Sequence, residues 1–489
     1  MSHHHEIFLD HASTTPVQPD AYGLMVPYFG NHFASPGTSY EMGQRSKRAV
    51  EQARLRVAQL IGAKPAEIIF TGSGTESNNM AVLGAAHALQ SKGRHIITSA
   101  IEHACVLNAC RHLEKNGFRV TYLPVDKNAV VSVSALEEAI CDDTILITVM
   151  HANNEVGTIE PINEIGKIAR EKGICFHSDA VQSAGKIPVA VDDLQVDLLS
   201  IASHKIYGPK GVGALYVRTG TKIEPILFGS HQERGLRPGS LNVPAIVGFG
   251  MACEIAGRDL ETNMIKVKAM RDSLEQQILQ RIGGAIINAS GADRLPNISS
   301  ISFAGVTADS LAANLDAKDI FVSSGSSPGS STTQISHVLA AMHVDVQRAH
   351  GTLRISLGWE NKDREVVKTV DRLEESTTRI REFTRSIDKS EFCIFTFADK
   401  EAAACAEKVL RDKEIFFTLT EKPEDIIQFT GSHIALACMT SDRQKIGGIL
   451  GEEGIEVAGT HTIHPQCRTT TKKEQAFWTK VEEIKKERR

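Results

Sequence analysis

The sequence predicts an α/β protein: a mostly parallel sheet covered by helices on both faces, then a smaller α/β unit, then a C-terminal module of βαββαβ order. Three patterns carry that prediction. From about residue 44 to 250, short apolar runs alternate with stretches of helical periodicity. The runs are apolar at successive positions, as strands buried on both faces are. After Arg385-Ser386-Ile387-Asp388-Lys389 the alternation restarts, this time over a module of about 70 residues.

Taken in order, Ala49, Val50, Ala53, Val57, Leu60 and Ile61 fall at helical spacing, and Ile68-Ile69-Phe70 then reads as a short strand. Further strands are expected at His95–Ile97, Val120–Leu123, Ile145–Val149, Ile174–Phe176, Val196–Ala202 and Gly213–Val217. In such folds ligands sit beyond the carboxyl ends of the strands, where Asp179 and Lys205 would lie. A long helical pattern from about 245 to 282 leads into the smaller α/β unit, which ends near 387. Strands at Phe392–Phe397, Ile415–Thr420, His433–Met439 and Ile455–Ala458, with helices at Ala398–Asp412 and Thr440–Glu453, suggest a ferredoxin-like module. The expected organisation is an N-terminal arm (1–15), a large domain (16–255), a small α/β domain (256–387), an accessory domain (391–462) and a polar tail (463–489).

At 489 residues two or three domains are expected. Hydrophobic residues at 42% and charged residues at 23% are ordinary for a soluble globular chain. A net charge of −5 without a basic block gives no nucleic-acid surface. No run of 18 apolar residues and no signal-peptide core is present, so no membrane association is expected. Nine cysteines without framework spacing fit reduced thiols in the cytoplasm.

The apolar run Val196–Ala202 ends in Ser203-His204-Lys205. A lysine at the end of a buried strand can be kept partly unprotonated by desolvation, as imine formation with an aldehyde requires. Upstream lies Asp179-Ala180-Val181-Gln182, and a carboxylate under a pyridine nitrogen keeps that nitrogen protonated. Together they point to a pyridoxal phosphate (PLP) site. Ser73-Gly74-Thr75, between a strand and a helix, adds free N–H groups suited to a phosphate.

Around these residues several collinear motifs run from Ile7-Phe8-Leu9-Asp10-His11-Ala12-Ser13-Thr14-Thr15-Pro16 to Leu353-Arg354-Ile355-Ser356-Leu357-Gly358. They include the segment from Phe70 to Asn79, Glu102-His103, the segment from His151 to Gly157, and Gln232 to Ser240. The chain thereby resembles the cysteine desulfurases, a class V aminotransferase-like branch of the fold-type I PLP enzymes. The resemblance implies PLP as cofactor, L-cysteine as substrate, and sulfur mobilisation of the kind that serves iron–sulfur cluster assembly. It implies phosphate binding by Gly74, Thr75 and Ser203, and by Ser240 from a partner subunit, hence a homodimer with shared sites. It further implies that Lys205 holds the cofactor and Asp179 its ring nitrogen. His103 stacks on the ring and takes part in proton transfer; Gln182 meets the ring hydroxyl, with Asn154 beside it near the substrate amine. Arg354 clamps the substrate carboxylate. No metal is implied.

One departure bears on the chemistry. The family carries a mobile loop of the form Ser-Ser-Gly-Ser-Ala-Cys-Ser-Ser-Gly, whose cysteine takes the sulfur as a persulfide. This chain reads Ser323-Ser324-Gly325-Ser326-Ser327-Pro328-Gly329-Ser330-Ser331, and no cysteine occurs between Cys253 and Cys393. Proline is not a nucleophile. Either another thiol serves, with Cys393, Cys405, Cys438 and Cys467 as candidates, or sulfur leaves without a persulfide. The first three sit in regular elements and read most simply as buried; Cys467 follows a polar turn and is expected to be exposed. The C-terminal module resembles a small selenium/sulfur-carrier domain, which makes it, or a separate protein, a possible sulfur acceptor. The rival readings are PLP-dependent β-elimination on a cysteine or selenocysteine-like substrate, and a non-catalytic sulfur-trafficking scaffold.

Overall fold

The computed structural model describes residues 6–324, 335–386, 392–413, 415, 417–421, 434–439 and 442–463. Seven strands form the main sheet, in the order Ile68–Thr71, Gly213–Val217, Leu198–Ala202, Cys175–Asp179, Thr144–Thr148, His95–Ser99, Arg119–Leu123. Neighbours from Leu198–Ala202 to Arg119–Leu123 are parallel, whereas Gly213–Val217 runs antiparallel to both of its neighbours. Successive residues face opposite layers. Ile68, Ile97, Ile147, Leu199 and Tyr216 pack in one core, while Ile69, Ile96, Leu146, Leu198 and Leu215 pack in the other. A strand buried on both faces has no room for alternating polar residues, which is why these runs are continuously apolar. Each fully buried Ile or Leu contributes about 1.5–3 kcal/mol to holding the layers together.

The strand expected at Ile174–Phe176 continues to Asp179, its last residue. Leu198–Ala202 lies parallel beside it, with Asp179 opposite Ser200, and a short 3₁₀ turn, Ser203–Lys205, follows directly. Parallel pairing puts both carboxyl ends on one edge of the sheet. Asp179 and Lys205 therefore emerge together.

The helical pattern read as one element is two helices, Val243–Arg258 and Leu260–Arg281. They divide at Asp259, whose φ of −102° and ψ of 9° leave the helical region although the apolar spacing continues across it. The second helix enters a unit whose antiparallel sheet has the order Thr352–Ser356, Ile298–Phe303, Ala285–Ile287. The N-terminal strand Ile7–Phe8 pairs in parallel with Ile320–Phe321, and Ile7 and Leu9 lie in this unit's core.

The C-terminal strands have the order Thr418–Glu421, Ile434–Met439, Phe392–Phe397, Val457–Ile463, and all neighbours are antiparallel. With helices Lys400–Asp412 and Arg443–Glu452 between them, this is the ferredoxin-like arrangement expected from the βαββαβ order. The last strand starts later and runs longer than its apolar residues suggest, because it pairs along Phe392–Phe397. The module packs against helix Ala308–Asp316 and helix Asp363–Ser386. Asn314 Nδ2 donates to Leu419 O at 3.2 Å, and the Arg379 guanidinium lies 3.5 Å from the Phe417 ring centroid. Glu407, 1% exposed, receives Lys318 at 3.0 Å and Arg379 at 3.1 Å.

Candidate active site

A cavity of about 390 Å³ opens at the shared edge of Asp179 and Lys205, within the size range of small-molecule sites. The Lys205 Nζ donates to Ala12 O at 2.8 Å and Ser13 O at 2.5 Å, both carried by the N-terminal arm crossing the cavity. Burial, with the Arg354 cation adding to it, lowers the Lys205 pKa to about 8. A substantial fraction of this amine is therefore neutral near physiological pH.

Asp179 is 5% exposed. Its Oδ1 accepts Val181 N at 2.9 Å and its Oδ2 accepts Asn78 Nδ2 at 2.6 Å. Burial pushes this carboxyl up, opposed by the Val181 N–H, His103, Asn78 and Lys205. A protonated ring nitrogen against it would restore the charged form.

Helix Gly74–Leu89 points its N-terminus into the cavity, capped by the Ser73 hydroxyl accepting Glu76 N. A Cβ at Gly74 would come within 2.7 Å of Val181 Cγ2, so the close approach of this turn to the Asp179 segment requires glycine. The N–H groups of the first turn, the helix dipole and Thr75 make an anion cradle at the cavity wall.

His103 is the N-cap of helix Ala104–Lys115, its Nδ1 accepting Cys105 N at 3.2 Å. A ring nitrogen that accepts a backbone N–H carries no proton, so the neutral imidazole has its proton on Nε2. His103 thus presents a donor at Nε2. Arg354, on strand Thr352–Ser356, gives Nη2 to Asp10 Oδ1 at 2.8 Å and Nη1 to Asn154 O at 3.0 Å. Its Nε is buried without a partner among the described residues.

Gly74, Thr75, His103, Asn154, Asp179, Gln182, Lys205 and Arg354 all line this cavity, as the sequence predicts. Ser203 does not. It is fully buried, its hydroxyl is turned toward Gly208 (a Cβ there would lie 2.0 Å from Ser203 Oγ), and its neighbours Ala202 and His204 line the cavity instead. Ser203 lies between two cavity-lining residues and faces away from the cavity, its hydroxyl buried without a partner among the described residues. Ser240 is exposed and lines no part of the cavity within its own subunit. Pro328 and Cys467 lie outside the described residues.

Sequence reasoning missed four residues here. Asn78 holds Asp179, Asp10 pairs with Arg354, Glu155 accepts the Ser336 hydroxyl, and Cys105 places its Sγ 3.0 Å from His103 Nδ1. Asp10, Asn78 and Glu155 lie inside the quoted motifs, whereas Cys105 gave no signal beyond following His103 by two. Burial and the nearby Asp179 carboxylate push the Cys105 thiol up to about 12, so it stays protonated. Cys393 and Cys438 are buried and face each other across neighbouring strands. Cys405, expected to be buried, is exposed. Its helix buries the stripe Ala403, Ala406 and Leu410, and Cys405 falls off that stripe. Elsewhere His95, Cys141 and Asp143 gather within 4.8 Å, but Arg119 donates to Cys141 Sγ and Asp143 there, and both His95 nitrogens meet threonine hydroxyls. That is a cation-centred hydrogen-bond cluster.

A half-buried lysine and a buried carboxylate at neighbouring strand ends, facing a helix N-terminus, define a class of protein. Residues 7–369 match the family model described as aminotransferase class-V, and the chain belongs to that family. Within it the chain groups with the cysteine desulfurases. It is 47% identical over 376 residues to the cysteine desulfurase IscS of Dictyoglomus turgidum, covering 77% of this chain and 95% of that protein. Among solved structures, a NifS-like protein superposes with a TM-score of 0.72 at 37% identity, covering 76% of this chain and 99% of that one. SspA in complex with cysteine superposes with a TM-score of 0.65, also at 37% identity, over 72% of this chain and 99% of that one. The family match ends before the C-terminal module. Among the described residues no helix is long and apolar enough to cross a membrane.

Proposed function

We propose that this chain holds PLP at Lys205 and acts on L-cysteine, removing sulfur and leaving alanine. The observation that carries the reading is the half-buried amine and buried carboxylate on one sheet edge, facing one cavity with a helix N-terminus. The residues fit the cofactor: Gly74 and Thr75 would hold its phosphate, Asp179 its ring nitrogen and Gln182 its ring hydroxyl, with His103 placed to lie over the ring. When bound, PLP would supply an electron sink for the pair left at the substrate Cα. The chain's own residues do the rest. Lys205, neutral in good part, takes the Cα proton; His103 delivers a proton from Nε2; Asn154 lies near the substrate amine.

Arg354 holds the substrate carboxylate, with its unpartnered Nε available for the second bond of a bidentate pair. Arg354→Ala is expected to cost about 1.5–3 kcal/mol of substrate binding, read as a KM rise of ~10- to 150-fold with kcat less affected. An unchanged KM would remove Arg354 from this role. Cofactor capture by the apoprotein should follow the Lys205 amine: only its neutral form attacks the aldehyde. With the pKa lowered to about 8, the capture rate should rise about fivefold from pH 7 to 8 and then level off. A rate still rising tenfold per pH unit at pH 9 would mean an ordinary lysine.

The active form is a homodimer. Supporting this, Tyr22, Phe29, Phe33, Tyr40 and Phe228 are between 58% and 89% exposed. The segment leading to Ser240 is tied down beside the phosphate cradle by Arg237–Glu76 at 2.8 Å and by Glu233 on Arg54 at 2.6 Å. Self-association should bury above ~2,000 Å², and a monomer carrying full cofactor would contradict it. The eight cysteines among the described residues are free thiols, which supports a reducing, cytoplasmic setting.

The cavity's own thiol, Cys105, is held protonated by burial and the nearby Asp179. That favours a second reading, β-elimination, which needs no sulfur-accepting thiol. Product analysis separates the two: alanine marks desulfuration, whereas pyruvate with ammonia marks elimination. Were the C-terminal module to accept sulfur, Cys405 is its exposed thiol among the described residues, since Cys393 and Cys438 are enclosed.

A further inference from the structure

Lys186 is largely withdrawn from solvent, four residues beyond Gln182, and no step above uses it. No carboxylate pairs with it among the described residues; the charges acting on it are the cations Lys205 and Arg354. An ammonium withdrawn from water without a counter-ion is destabilising. Burial first, then those two cations, brings its pKa down to about 7. The groups around it do not relieve this. His11 and His204 are each held near 4, and Lys186 itself depresses both. The small cavity of about 40 Å³ that Lys186 lines has His11, Thr15, Lys205, Tyr207, Asn263 and Asn297 as its other polar side chains, with no acid among them. The position therefore lacks an anion.

Among the described residues the Lys186 side chain makes one hydrogen bond: its Nζ donates to Gln182 Oε1 at 3.0 Å. The other end of the same amide donates from Nε2 to Ala12 O at 2.8 Å, the carbonyl that also receives Lys205. A donor on Oε1 and an acceptor on Nε2 admit one amide orientation. Gln182 lines the cavity, and its second Nε2 hydrogen remains for whatever lies there.

We infer that Lys186 is a positioning residue, which locks the Gln182 amide with an N–H toward the ring-hydroxyl oxygen of the cofactor and supplies the positive charge that this oxygen, as an anion, matches. The inference rests on the reading of the cavity as a PLP site. It explains why a cation withdrawn from water is kept with no acid of its own: the missing anion arrives with the ligand. Polarisation of the amide by Lys186 strengthens the N–H donated at its other end. An oxygen so stabilised gives up its share of the chromophore's proton at lower pH.

The test is a pH titration of the visible absorbance of the holoenzyme, for the parent, Lys186→Met, Lys186→Gln, Gln182→Ala and the double variant Lys186→Met/Gln182→Ala. In both Lys186 variants the midpoint should rise by about one pH unit, with PLP dissociating about tenfold faster and the melting temperature unchanged or higher. On the Gln182→Ala background, Lys186→Met should move the midpoint by less than half as much. Unshifted midpoints in both Lys186 variants, or equal shifts with and without Gln182, would overturn the inference while leaving the cofactor site intact. A parent protein with no visible chromophore after PLP loading would instead overturn the reading of the cavity.

Discussion

Lys205→Ala is expected to lower L-cysteine turnover at least ~10³-fold while leaving the fold intact, because two roles are lost together. In the proposed site the amine is both the tether for PLP and the base for the substrate Cα, and a single positioned acid–base group contributes ~10²–10⁴-fold. The fold should tolerate the change. Lys205 follows the strand Leu198–Ala202, whose side chains are buried independently of it, and its contacts are two carbonyls of the N-terminal arm. Removing a half-buried amine also relieves its desolvation. Turnover measured as alanine release, beside a melting curve, checks this; activity within tenfold of the parent would place the chemistry elsewhere.

Pro328→Cys should raise alanine release ~10²-fold or more in the presence of a reductant. The residues proposed to bind the cofactor and move the Cα proton line one cavity, and what the loop sequence lacks is the cysteine whose thiolate would reach the substrate sulfur. Position 328 is where the family resemblance puts that cysteine. The lining thiol, Cys105, cannot stand in, since burial and Asp179 keep it protonated. Parent protein should therefore bind L-cysteine with a spectral change but turn it over slowly. Rapid alanine release by the Pro328 form, lost in Cys405→Ser, would instead make the C-terminal module the direct acceptor.

The sheet was legible because burial on both faces leaves a plain mark. Ile68, Ile69 and Phe70, or Ile145 to Thr148, have no polar alternation to blur the signal, and all seven expected runs are strands. Break points were harder. Nothing in the apolar spacing distinguishes Asp259 from a helical residue, and only its backbone angles end the first helix. In the site, Lys205, Asp179 and His103 stood out because their motifs have few other uses. The direction of Ser203 was not legible, because alternation at the strand end and into the turn Ser203–Lys205 decides whether a side chain faces the cavity or Gly208. Asp10 and Lys186 were unreadable for another reason. Their meaning lies in partners 344 and 4 residues away, Arg354 and Gln182, and a contact has no signature in one sequence.

The central claim is a covalent PLP site at Lys205, and its most direct measurement is borohydride reduction of the purified, PLP-loaded protein followed by peptide mass analysis. The account expects a yellow protein whose visible band disappears on reduction, with a single pyridoxyl-phosphate adduct on Lys205 and none in Lys205→Ala. An adduct on Lys186 or a surface lysine, or the same band surviving in Lys205→Ala, would contradict it.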